Sequence, residues 1–423
     1  NHLMNRVLTS KEAINGVSWI KGSNPIFRST SPGYPFKHWG QSIKKADFFQ
    51  LKDGLQAFSD NHYGQKLANA VGSLICAAKA GKRTGVVFAG CLKDETLKLK
   101  KIYDINNDGT HSASRTFAAS PVDYTIAQRM YFHTAAASLT TIHKDIPIKI
   151  GIDARSTEWN DLYYYHSFVS DHGFDGDFAA WDASIPLVMM QRLPRVYNKI
   201  YELNDPNWTP QDDDTRFALH SVLHGPLLTY YDKIVRAPGG QVTGQPMTAV
   251  DNCVINFMLT VYAWMQLAII HCPEKASFRS FRHNVRASFY GDDNLITMRR
   301  EVQDWFNFCT FADIVAKVGF KLTNAAKDGN TLPVKPLVEL EFLKREFKLV
   351  EGKYIGTLVE ASINKMLAFA CAGKRHHFWQ QPETIKFDRD TISATAECAL
   401  RESVGRGPDF YHSLRTHLLT CIR

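Results

Sequence analysis

The chain has 423 residues, enough for two or three compact units, and its 44% hydrophobic and 22% charged content excludes a disordered or fibrous polymer. No run approaches about 18 uninterrupted apolar residues, so no transmembrane segment is expected. The formal net charge of +8 is uneven: residues 1–150 hold 20 Lys+Arg against 10 Asp+Glu, and the remainder 30 against 32. A basic front beside a near-neutral, carboxylate-bearing rear suits a polyanion-binding face next to a metal-using one.

The opening "NHLMNRVLTS" lacks the apolar core of a signal peptide and does not begin with Met, as expected of a processed or excised segment. Gly/Pro punctuation at "SPGYPF" (31–36) is followed by a helical pattern near 64–80, a polar loop at 107–114 and a helix over 121–142 with Pro121 near its start. "FVSDHGFDGDF" (168–178) reads as a strand, and 184–203 as an amphipathic helix that Pro194 should kink or divide. Residues 205–216, "DPNWTPQDDDTR", read as an acidic surface insertion, and 252–270 as a buried helix. A β-hairpin over 285–298, a helix over about 301–318 and strands near 320–323 and 338–349 follow. Roughly the last 65 residues read as helices, with "SINKMLAFACAG" (362–373) the clearest. This is an α+β pattern, helices packed on one side of an antiparallel sheet. Eight cysteines without C-x-x-C or zinc spacing read as free thiols in a reducing compartment, and His376-His377 has no partner motif.

Chemistry concentrates in two segments. "FYGDDNLI" (289–296) places two adjacent carboxylates between strand-like runs, with the turn chemistry of a hairpin. Any solvent-facing turn favours Asp and Gly, so the motif gains meaning only if a second strand brings another carboxylate to the same point. "FDGDFAAWDASIP" (174–186) offers Asp177 at a strand end and Asp182 five residues later. Facing Asp292, Asp177 could share a pair of divalent cations about 3.5–4 Å apart, the spacing that serves phosphoryl transfer. Carboxylate oxygens without neighbouring Cys or His favour Mg²⁺, or Mn²⁺, over zinc. Each Asp alone could equally be a turn or capping residue.

These segments form part of an ordered series that resembles the RNA-dependent RNA polymerases of picornavirus-like positive-strand RNA viruses. The dicistrovirus-, iflavirus- and marnavirus-like branches look nearer than the vertebrate picornaviruses. "STSPGYPF" (29–36) resembles the template-guiding loop and "KEAING" (11–16) the segment before it, and "KDE" (93–95) with "SRTF" (114–117) the basic finger motif. "DFAAWD" (177–182) matches D-x4-D, "TGQPMTAVDN" (243–252) matches S/T-G-x3-T-x3-N, and "YGDD" (290–293) matches the catalytic hairpin. "GFKLTNAAKD" (319–328) resembles the lysine-bearing loop and "EFLKREF" (341–347) the primer-grip hairpin.

The resemblance implies a right-hand polymerase with an antiparallel palm sheet flanked by helices. Fingers would comprise 1–132 and an insertion at 214–236, palm 133–213 and 237–350, and thumb 351–423, small or cut short because only 76 residues follow Phe347. It also implies upstream finger residues absent from this chain. Asp177 and Asp292 would be the main ligands of two Mg²⁺ ions, Asp293 would assist, and Lys327 would protonate the leaving pyrophosphate. Asp182, Thr248 and Asn252 would read the ribose 2′-OH; Thr248 and Asn252, four apart, share one helix face. Lys93, Arg115, Thr243 and Gly244 would contact the nucleotide, Gly33, Tyr34 and Pro35 the template, and Lys344 and Arg345 the template or primer. The chain departs from the family at Ala113 and Leu97, where basic residues are common, and at Thr243, where serine is usual. Implied partners are RNA template and primer, nucleoside triphosphates, a genome-linked protein primer and other viral replication proteins, at membrane-associated replication complexes in the host cytoplasm. A reverse transcriptase, or an inactive RNA-binding scaffold, is the alternative reading.

Overall fold

The computed structural model describes residues 5–20, 22–93, 115–325, 331–368 and 389–422. The polar loop at 107–114, His376-His377 and Lys327 lie outside the described residues.

The N-terminal third opens with α1 (Ser10–Asn15), started by a reciprocal Thr9/Glu12 capping box. A hairpin, β1 (Phe49–Lys52) and β2 (Leu55–Phe58), leads to α2 (His62–Lys79), whose Asn61 side chain accepts from Gly64 N. Strands β3 (Val87–Leu92) and β4 (Thr116–Ala119) pair antiparallel and precede α3 (Val122–Thr141), a helix buried on most of its surface. Phe36, Phe48, Leu67, Val71, Val122 and Ile126 close a core of their own beneath this region.

The middle of the chain runs α4 (Glu158–Ser167), β5 (His172–Ala179), the short α5 (Trp181–Ser184), α6 (Leu187–Asn204) and α7 (Pro210–Ser221). Strands β6 (Leu227–Tyr230) and β7 (Lys233–Arg236) return to the first region and complete a sheet of order β4-β3-β6-β7, in which β3 and β6 are parallel. Next come α8 (Thr248–His271), α9 (Phe278–Asn284), the hairpin β8 (Val285–Tyr290) and β9 (Asp293–Met298), α10 (Phe308–Ala316), β10 (Lys321–Thr323) and β11 (Lys335–Pro336). They build the central sheet, order β10-β5-β9-β8, with β11 also on β5. The large core lies on one face of this sheet, under α6, α8 and α10. A smaller aromatic cluster, Trp159, Phe342 and Phe347, covers the other face. The chain ends with the hairpin β12 (Arg345–Val350) and β13 (Lys353–Leu358) and with α11 (Glu360–Ala368), α12 (Arg389–Ser403) and α13 (Pro408–Ile422).

Several sequence expectations need correction. Residues 205–216 are not a surface insertion: Thr209 and Asp212 form a capping box, Pro210 takes the first helical position, and α7 packs on α2 and α6. Its Arg216 is fully buried, held by Asp213 (2.6 Å) and Asn198 (2.8 Å) and stacked on Tyr201. Pro194 does not divide its helix, because the Met190 carbonyl that it leaves without a donor accepts from the His224 ring at 3.3 Å. The strand expected from 168 begins at His172, the helix expected from 301 begins at Phe308 behind the Asn307 cap, and the strand expected from 338 begins at Arg345. Helix α8 is long and apolar enough by composition to cross a membrane, yet 56% of its most apolar stretch is buried inside the fold. Cysteines 76, 91, 253, 272, 309 and 398 are free thiols.

Candidate active site

The β8–β9 ladder closes at Tyr290↔Asp293, leaving Gly291 and Asp292 as a two-residue turn. Gly291 has φ +69°, the left-handed region that the first position of such a loop requires and that glycine enters freely. Helix α8 pins the turn from below. Asn256 Nδ2 donates to Asp292 O at 3.2 Å, and Gly291 N donates to Cys253 Sγ at 3.0 Å. Sequence reading treated Cys253 and Asn256 only as parts of an apolar helix; the available signal was Asn256, one turn after Asn252 on the same helix face.

Strand β5 pairs with β9 as far as Gly176↔Asn294, so the next step sets Asp177 across from Asp293 at the hairpin tip. On its other side Asp177 pairs with Thr323 of β10, whose hydroxyl donates to Asp177 O at 3.0 Å. Burial pushes the Asp293 carboxyl up to about 6, and the charges of Asp292, Asp177 and Glu341 push it the same way while Lys344 opposes them. Three carboxylates from two distant segments therefore share one electrostatic field.

Beyond β5 the chain turns through Ala180, in the left-handed region at φ 52°, and carries Asp182 to the mouth of this acidic site. Burial raises the Asp182 pKa; a hydrogen bond from Asn252 holds it down, Asp292 pushes it up, and Arg115 and Lys93 pull it down. Asn252 Nδ2 reaches Asp182 Oδ1 at 3.4 Å. Thr248 does not join this pair: its hydroxyl faces the carbonyls of Val242 and Gln245, each at 2.9 Å, and so secures the start of α8. Lys93 and Arg115 extend the β3–β4 ladder by one step, Lys93 N donating to Arg115 O at 2.7 Å, which puts both basic residues at one strand end. Thr243 Oγ1 accepts from Ala118 N at 3.3 Å, and Gly244 bridges Ala119, docking the 241–247 loop on β4. A Cβ on Gly244 would sit inside the contact radius of the Ala118 carbonyl oxygen.

The remaining expected residues divide. Lys344 Nζ donates to Glu341 at 2.7 Å, and that pairing with the nearby Asp293 and Asp177 raises its pKa against desolvation, so it belongs to the acidic site. Arg345 is a correction. It makes a two-pronged pair with Glu402 of α12 (2.7 and 2.8 Å) and donates to Gly356 O, so three of its five N–H donors serve an internal tie between the β12–β13 hairpin and α12. Gly33 lies against Ser120 and Pro121 at the start of α3, Tyr34 is half-buried beside His38, and Pro35 is exposed. Asp175 was missed. Buried on the same strand face as Asp177, it accepts from Glu341 N (2.8 Å) and Ala325 N (3.2 Å), anchoring both flanking loops, and burial raises its pKa. Two acids at i and i+2 on a strand were the available signal.

The sequence profile described as "Viral RNA-dependent RNA polymerase" matches residues 2–421. The chain belongs to that family. The polymerase is 27% identical over 429 residues to the replicase polyprotein of Drosophila C virus (strain EB), covering 98% of this chain and 23% of the relative. It is 28% identical over 376 residues to the RNA1 polyprotein of Cherry rasp leaf virus (85% and 16%), and 28% over 348 residues to the replicase polyprotein of Cricket paralysis virus (81% and 19%). The chain thus spans less than a quarter of the length of these curated relatives. Such relatives are dicistroviruses and secoviruses, within the picornavirus-like order. Among solved structures, "Sicinivirus 3Dpol RNA dependent RNA polymerase" superposes with a TM-score of 0.71 at 19% identity, covering 97% of this chain and 75% of that one. The fold is that of a right-hand polymerase.

Viral RNA polymerases use divalent metal ions. Among the described residues, no three His, Cys, Asp or Glu side chains form a ready-made cage. The donor set nonetheless fits a hard cation: oxygen-only ligands whose mutual repulsion a positive ion relieves. Mg²⁺ commonly takes one or two carboxylates together with substrate phosphates and water, so a full protein cage is not required.

Proposed function

We propose that this polymerase adds ribonucleotides to an RNA 3′ end under template direction, releasing pyrophosphate. The observation that carries the reading is the strand register setting Asp177 across from Asp293 beside the Gly291–Asp292 turn, with Lys93 and Arg115 acting on the neighbouring Asp182. Asp177 and Asp292, assisted by Asp293, would hold two Mg²⁺ ions, with Mn²⁺ a possible substitute. When bound, these ions would acidify the primer hydroxyl and neutralise triphosphate charge. Arg115 and Lys93 would grip the triphosphate, Arg115 through its forked guanidinium. Asp182 and Asn252 would read the 2′-OH, which both donates and accepts a hydrogen bond. Lys344 would keep positive charge on the primer side, and Lys327 would supply the proton to pyrophosphate.

In this reading 1–132 and 214–236 are fingers, 133–213 and 237–350 palm, and 351–423 thumb. Release from a polyprotein, a genome-linked protein primer and membrane-associated replication complexes in the host cytoplasm complete the proposal. The relatives' names as replicase or RNA1 polyproteins support its viral setting.

Primer extension on a defined RNA template, with Mg²⁺, Mn²⁺ and chelator compared, tests it. Asp292→Asn should reduce extension to background while RNA binding persists, and chelation should do the same to the unaltered protein. Undiminished extension by Asp292→Asn would sink the metal assignment. Binding without any extension would favour the scaffold reading, and preferential use of deoxynucleotides a reverse transcriptase.

A further inference from the structure

The loop entering α8 rests on a buried polar network outside the motif positions assigned above. Asp251 is fully buried. Tyr197 of α6 donates to its Oδ1 and Gln245 Nε2 to its Oδ2, each at 2.7 Å, and Gln245 Oε1 accepts from Met247 N at 2.7 Å. Gln241 stands between this anchor and the nucleotide site. Its backbone N donates to Asp182 O at 2.7 Å, its Oε1 accepts from Val242 N at 3.1 Å, and its Nε2 donates to Asn252 Oδ1 at 3.3 Å.

These bonds form a chain of decisions about amide orientation. A backbone N–H can only donate, so Val242 N dictates that the Gln241 oxygen faces it and the Gln241 NH₂ faces Asn252. The Asn252 oxygen must then turn to Gln241, leaving Nδ2 to face the Asp182 carboxylate. A reversed Asn252 would set donor against donor at Gln241 and oxygen against carboxylate at Asp182. Asp251, which accepts from Tyr197 and Gln245, holds the floor beneath Gln241; burial pushes its carboxyl up to about 6, and the hydrogen bonds from Tyr197, Gln245 and Gln241 oppose that rise.

We propose that Gln241 is a positioning residue for ribose selection, fixing which end of the Asn252 amide meets Asp182 and hence which donor and acceptor remain for the 2′-OH. This rests on the reading that Asp182 and Asn252 recognise that hydroxyl. Gln241 touches no substrate itself; it acts through Asn252.

The test compares kcat/KM for CTP and dCTP on one RNA primer–template, using the 423-residue chain and its Gln241→Met, Gln241→Glu, Asn252→Ala and Gln241→Met/Asn252→Ala variants. Methionine keeps the length without the amide; glutamate keeps the shape and the acceptor for Val242 N but cannot donate to Asn252. Loss of one neutral hydrogen bond should lower the CTP/dCTP preference of Gln241→Met about fivefold, chiefly through CTP. Gln241→Glu should fall at least as far, and it carries the test if the methionine variant does not fold, with thermal unfolding as the check. Adding Gln241→Met to Asn252→Ala should change the preference no further, the signature of two residues acting as one unit. Equal losses on both nucleotides, an unchanged preference, or multiplying effects in the double variant would overturn the proposal while leaving the sugar-reading pair intact. An unchanged preference in Asn252→Ala would instead remove the sugar reading itself, and Gln241 with it.

Discussion

Gly244 stands where two chain segments meet with no room for a side chain. The 241–247 loop must approach β4 closely enough for Thr243 to accept from Ala118 N, and a methyl at Gly244 would strike the Ala118 carbonyl. Gly244→Ala should therefore destabilise by about 1–3 kcal/mol, the usual cost of overpacking. It should also lower primer extension, because the same loop carries Gln241 and leads to Asn252. Paired thermal unfolding and extension assays would check this, and normal values in both would contradict the docking described. Asp177, Asp182, Asp292 and Asn252 were legible in the sequence through the ordered series of motifs that resembles the family, and the structure brings their segments together. Thr248 was not legible in the same way: a hydroxyl in a motif looks alike whether it faces substrate or a carbonyl. Only its two neighbours, the carbonyls of Val242 and Gln245, decide.

Among elements, the β12–β13 hairpin is clamped to α12 by Arg345 and Glu402, 57 residues apart. Removing one partner of a largely buried pair costs up to about 3–5 kcal/mol, and less here because Arg155 Nε also lies 3.7 Å from Glu402. Arg345→Ala should accordingly lower stability in denaturant unfolding while the salt dependence of RNA binding stays as it was. Lys93→Ala or Arg115→Ala, which would remove triphosphate contacts, should instead raise the KM for nucleoside triphosphates in primer extension. An Arg345 variant with a flattened salt dependence would restore the expected RNA contact. The 285–298 hairpin could be recognised locally, since alternating β-formers and a Gly-Asp turn are short-range signals. The segment at 205–216 was misread because three consecutive Asp residues weighed more than the Thr209–Asp212 cap. Its burial comes from Arg216, whose partners Asn198 and Tyr201 lie on another helix.

The whole molecule carries buried neutral histidines at joints between its parts. His133 of α3 hydrogen-bonds Ser23 at 2.6 Å, and burial, helped by Arg129, lowers its pKa to about 4. His220 is lowered to about 3, and His166, bonded to Ser288 and Thr297 beneath the β8–β9 hairpin, well below its ordinary value. Unfolded histidine titrates near pH 6.5. Below that value the unfolded chain binds protons that the native one refuses, so stability is full above about pH 6.5 and falls as pH drops towards 4. His133 alone accounts for about 3 kcal/mol of this loss. His133→Gln should flatten the decline by about that amount when unfolding is followed from pH 7 to 4; an unaltered pH profile would show that His133 is protonated in the fold.

Local sequence determined the chemistry on offer: which carboxylates, amides and basic groups exist, which turn carries the Gly-Asp-Asp, and where most helices and strands run. Those signals act over a few residues, through backbone conformation and side-chain spacing. Tertiary structure alone decided which of these groups meet. Asp177 joins Asp293 through strand register, Arg345 is spent on Glu402, and Gln241 orients Asn252. A charge or hydrogen bond has meaning only with its partner, and here each partner arrives from a distant segment brought close by burial of the shared core.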